Sequence, residues 1–157
     1  MLRLTAFEFI VRSIPEAFVY IFACYAVSNN KLNIKRYIIS SMLFAICVYF
    51  IRMLPINYGV HTILSIITQT IILISISKID IVLAIKSSII TTIFLFIMEL
   101  LNLLALNLIF KEQLEAIMLN PILKTIYGLP SLVCFGVVVL CYYYHLRKRE
   151  KFKYVEN

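Results

Sequence analysis

The stretch Glu8-Phe-Ile-Val-Arg12-Ser-Ile-Pro-Glu16-Ala-Phe18 opens an apolar run that continues to Val27. Its three charges stand at i, i+4 and i+8, positions that drift by only about 40° per step in a helix, so they form one stripe. The uninterrupted apolar run behind them, Ala17 to Val27, is too short to cross a bilayer, which takes roughly 20 apolar residues. Arg12 and Glu16 therefore belong within the spanning segment. Counting back from Val27 at about 1.5 Å per residue puts Glu16 near mid-depth. An unpaired charge there costs several kcal/mol, so these side chains are expected to pair and to face protein rather than lipid.

The rest of the chain fits a membrane setting. Of 157 residues 62% are hydrophobic and 15% charged, with a mean hydropathy of +0.96. Water-soluble domains are nearer half apolar and a quarter charged, and a chain this short cannot hide the excess in a core. The expected fold is all-α: a polytopic membrane helix bundle of about five transmembrane helices plus a short interfacial helix, forming one domain over residues 1–157. The net charge of +7 would suggest nucleic acid in a soluble protein. Here most Lys and Arg flank apolar runs, as cytoplasmic loops do, so the expected partner is the lipid bilayer and not nucleic acid. Cys24, Cys47, Cys134 and Cys141 all lie inside apolar runs without a C-x-x-C, and read as small core residues. Ala26-Val-Ser28 loosely resembles a signal-peptide cleavage site. A signal h-region does not normally carry Arg12 and Glu16, so the first span is expected to be retained.

In order, the spans are expected over about 9–27, 37–54, 58–77, 84–110 and 125–144, with a basic tail at 145–157. Pro15 should kink the first span and free a backbone carbonyl near Arg12. Ser41, Ala45 and Val48 give the second span a small-residue face, and Arg52 at its far end can snorkel to the headgroups. Pro55-Ile-Asn57-Tyr58-Gly59 reads as a tight turn. In the third span His61, Ser65, Thr68 and Ser75, with Gln69 beside them, should look into the bundle. Ser88, Thr92, Glu99 and Asn102 form a similar face in the fourth. Lys111 to Lys124 reads as an amphipathic helix lying on the membrane. Ten cations (Lys31, Lys35, Arg36, Lys78, Lys86 and five in the tail) fall on one side, against Arg3, Arg52, Lys111 and Lys124 on the other. This places the C-terminus in the cytoplasm and the N-terminus outside the plasma membrane.

Enzymatic signatures such as H-E-x-x-H, G-x-S-x-G or a Walker loop do not occur, so no catalytic residue, cofactor or metal is expected. The candidate intramembrane polar site is Glu8, Arg12, Glu16, Gln69, Glu99 and Asn102. The charged stripe reads either as an ion-paired latch docking the first span or as the lining of a polar ligand or proton site. Arg52 and His61 are candidates for contact at the outer face, although a histidine near a helix start commonly just hydrogen-bonds locally. The tail anchors topology and meets anionic lipid.

Arg52-Met-Leu-Pro-Ile-Asn-Tyr-Gly-Val-His61 and Asn120-Pro-Ile-Leu-Lys-Thr-Ile-Tyr-Gly-Leu-Pro130 resemble the multi-span sensor regions preceding the kinase core in GHKL-type, accessory-gene-regulator-like histidine kinases of Gram-positive anaerobes. The resemblance covers nearly the whole chain but rests on turn and helix-end residues, so no functional residue is carried over. The chain stops at Asn157, with no phosphoacceptor helix or ATP-binding domain. The resemblance thus implies a stand-alone, non-enzymatic sensor-like or accessory module that works with another membrane protein such as a histidine kinase. The alternative expectation is a small membrane component of a transporter, binding a polar substrate among Glu16, Gln69, Glu99 and Asn102.

Overall fold

The structure is a computed structural model and describes residues 9–111 and 119–148. Glu8, residues 112–118 of the expected interfacial helix and residues 149–157 of the basic tail lie outside the described residues. A π-helical turn, Phe9–Ser13, runs into α1 (Ile14–Val27), followed by α2 (Ile34–Met53), α3 (Tyr58–Ser75), α4 (Ile81–Ile109) and α5 (Pro121–Lys148). The described residues thus form an all-α bundle. Four helices are long and apolar enough to cross a membrane, and α3 is a shorter apolar helix beside them. The chain is a multi-pass integral membrane protein.

The turns follow from local chemistry. Pro15 has no N–H for the carbonyl four residues back, and the chain accommodates this with a wider π turn just before it. At the end of α1, Asn29 takes φ 54°, Asn29 N–H reaches Ala26 O and Asn30 N–H reaches Tyr25 O. That is a Schellman closure with asparagine in the left-handed position. Asn33 caps α2 through Arg36 N–H, and Asp80 caps α4 through Val82 N–H. Lys78, also left-handed at φ 56°, turns the chain between α3 and α4.

α1 is the hub. It packs against α2, α4 and α5, while α2 meets α3, α3 meets α4 and α4 meets α5. In its apolar window 44% of the first span is buried, against 22% for α4. Small residues let the neighbours close in: Ala17, Ala23, Cys24 and Ala26 on α1, and Ser40, Ser41 and Ala45 on α2, are all buried. Tyr20 stacks on Phe44 with ring centroids 5.5 Å apart, and Phe94 of α4 meets Phe135 of α5 at 5.6 Å.

Several details differ from expectation. Of the polar residues assigned to the inner face of α3 only Gln69 is fully buried, and Ser75 is exposed. The buried face is Gln69, Ile72 and Leu73. In lipid, polarity does not decide which side turns inward; the fit to neighbours does. Among the cysteines only Cys24 is a core residue, and Cys134 and Cys141 are exposed on α5. Residues 121–124, expected in the interfacial helix, already belong to α5.

Candidate functional site

The charges of the first span meet partners from two other helices. Arg12, in the π turn, donates from Nη2 to Glu99 Oε1 of α4 at 2.6 Å, and its Nε lies 3.7 Å from Glu16 Oε2. Glu16 Oε1 in turn accepts from Arg52 Nη2 of α2 at 3.5 Å. Two guanidinium and two carboxylate groups thus alternate as Glu99, Arg12, Glu16, Arg52, and their formal charges cancel. Pairing of this kind is what membrane depth demands. Arg52, at the far end of α2, also finds a carboxylate on the neighbouring helix, while its side chain stays 36% exposed.

The cluster reaches further toward one end of the bundle than mid-depth. Glu16 lies 11 residues before Val27, about 16 Å along α1, while Arg52 lies 18 residues along α2 from Ile34, about 27 Å. The group therefore occupies the half of the bundle that carries the π turn and the α2–α3 turn. Its side chains keep partial exposure, 23% for Arg12 and 35% for Glu99.

Gly128 of α5 makes room for it. A Cβ built there would fall 2.9 Å from Arg12 Nη1 and 3.2 Å from Cζ. Asn102 donates to Tyr127 O at 2.8 Å, and Ser131 donates to Gly128 O at 2.7 Å, which fixes α5 around this slot. Gly128→Ala is expected to displace the guanidinium and lower stability by about 1 kcal/mol, within the range for overpacking. Thermal unfolding in detergent measures this, and the penalty should shrink in an Arg12→Leu background if the slot is the cause.

A second polar band lies deeper. Gln69 Nε2 donates to Cys24 Sγ at 2.8 Å, and the thiol donates to Thr91 Oγ1 at 3.5 Å. The Tyr20 hydroxyl donates to Thr92, whose own proton goes to Ser88 O at 2.7 Å. Ser40 and Ser77 meet at 3.0 Å. Gln69 Oε1, Glu16 Oε2 and His61 Nδ1 are buried atoms without a hydrogen-bond partner.

Of the expected intramembrane site, Arg12, Glu16 and Glu99 come together, Arg52 joins them from the group assigned to the outer face, and Asn102 supports them through α5. Gln69 belongs instead to the deeper band. His61 is half-buried near the start of α3, and Glu8 lies outside the described residues. From the sequence Cys24 reads only as a small core residue and Gly128 as part of a helix start, neither as a member of a polar site. Their roles depend on what another helix presents, which spacing along one chain does not reveal. Among the described residues no group of three or more His, Cys, Asp or Glu side chains converges as a metal site would require. No family model, curated protein or solved structure matches the chain.

Proposed function

We propose that the chain is a non-enzymatic, sensor-like or accessory module of a membrane signalling system that acts by contact with another membrane protein such as a histidine kinase. The observation that supports this reading is the placement of α1. One helix, touched by nearly all the others, is clamped by ion pairs at one end of the bundle and passes at the other into the loop before α2. A signal that competes for Arg12 or Glu99 would change how this helix docks, and such a local charge event can bias a whole bundle. The C-terminus is taken as cytoplasmic from the distribution of Lys and Arg. The broad apolar side of α4, including Ile93 and Leu104, offers a partner helix its contact area.

Photo-crosslinking residues at Ile93 or Leu104 in living cells test this. The expected adduct is with a membrane-bound histidine kinase, and adducts with lipid alone overturn the reading. A second reading, a transporter component, is favoured by one observation, the unpartnered Gln69 carbonyl oxygen inside the bundle. Adducts with a transporter subunit would select it.

A further inference from the structure

We propose that the end of the bundle opposite the charge cluster holds the headgroup of an anionic phospholipid between the α1–α2 loop and the last turns of α5. Leu32 N–H of that loop donates to the Tyr143 hydroxyl at 3.4 Å, and the Phe22 and Tyr143 rings lie 5.0 Å apart. These contacts join two basic segments separated by more than a hundred residues. Lys35 and Arg36 stand on the loop side, and Arg147 and Lys148 stand one turn beyond Tyr143. Tyr144, 71% exposed, frames a shallow depression with His145, Arg147 and Lys148.

Charge at this end is unbalanced. Among the described residues Asp80 is the acidic side chain there, and it caps α4 through Val82 N–H. Lys35 and Arg36 occupy the first turn of α2, where the helix dipole disfavours cations. A phosphodiester seated between the two basic segments offsets both repulsions, with tyrosines at the depth where headgroups lie. The inference concerns the bundle as a membrane protein and stands whether or not it signals.

The purified full chain in nanodiscs of mixed phosphatidylcholine and phosphatidylglycerol tests it, with the lipids retained after extraction quantified by mass spectrometry. Phosphatidylglycerol should be enriched over phosphatidylcholine. The pairs Lys35→Gln with Arg36→Gln, and Arg147→Gln with Lys148→Gln, should each reduce the enrichment by roughly fivefold per cation removed. Tyr143→Phe should reduce it by weakening the junction while leaving every charge in place. In phosphatidylcholine discs the charge variants should unfold no lower than wild type, and Tyr143→Phe slightly lower, since it gives up the bond from Leu32 N–H. No enrichment in wild type, or dependence on the α5 pair alone, overturns the composite site. Stabilisation by inorganic phosphate in phosphatidylcholine discs would point to a soluble anion and overturn the lipid assignment.

Discussion

Arg12→Leu should lower the stability of the bundle by about 2–3 kcal/mol, measured by unfolding in mixed detergent and SDS micelles followed by circular dichroism. Removing the guanidinium leaves Glu99 without its partner at 2.6 Å and leaves Glu16 with Arg52 at 3.5 Å alone. Breaking a fully buried pair costs about 3–5 kcal/mol, and the lower figure reflects the partial exposure of both side chains. Arg12→Leu combined with Glu99→Leu should recover most of the loss, because the double variant strands no charge. This cycle separates a latch from a ligand site. If the pair served mainly a ligand, the single variant would keep its stability and lose only response to signal.

Phe135→Ala should cost about 2 kcal/mol in the same assay. Phe135 is 1% exposed on α5, tilted against Phe94, with Gly136 beside it 3.7 Å from Val19 when given a Cβ. In a membrane the separated helix is solvated by lipid, so the transfer contribution that dominates in water largely vanishes. What remains is the void, on the order of 100 Å³ at about 24 cal/mol per Å³. Val133→Ala, on the same helix but 63% exposed, should change stability by less than about 0.5 kcal/mol. Equal effects at the two positions would mean that α5 does not pack as described.

The spans were legible because lipid imposes length and apolarity on any crossing helix. The stripe of Arg12 and Glu16 was legible for the same reason, since a charge in that setting must be answered. Which residue answers it was less so. Glu99 reads as part of the same polar site as Arg12, but Arg52 reads as a candidate contact at the outer face, and only the approach of α1 to α2 brings it to Glu16. Gly128 carries no chemistry of its own and acquires meaning from the guanidinium lying over it. The inward side of α3 was less legible at Ser75, because a hydroxyl can bond a carbonyl of its own helix, as Thr70 does with Ile66 O at 2.8 Å, and so does not oblige its face to turn inward. Pro15 announced a disturbance, although a π turn rather than a simple bend is how the backbone absorbs it.

The hub position of α1 sets a timing problem during biosynthesis. Arg12 leaves the ribosome 87 residues ahead of Glu99. At roughly 5–20 residues per second, that is a wait of about 4–17 s for Glu99, with Glu16 of the same segment the carboxylate at hand meanwhile. Throughout that interval α1 lacks α4 and α5, two of the three helices that later enclose it, so the insertion machinery, or water at its mouth, must shelter the charges until α4 arrives.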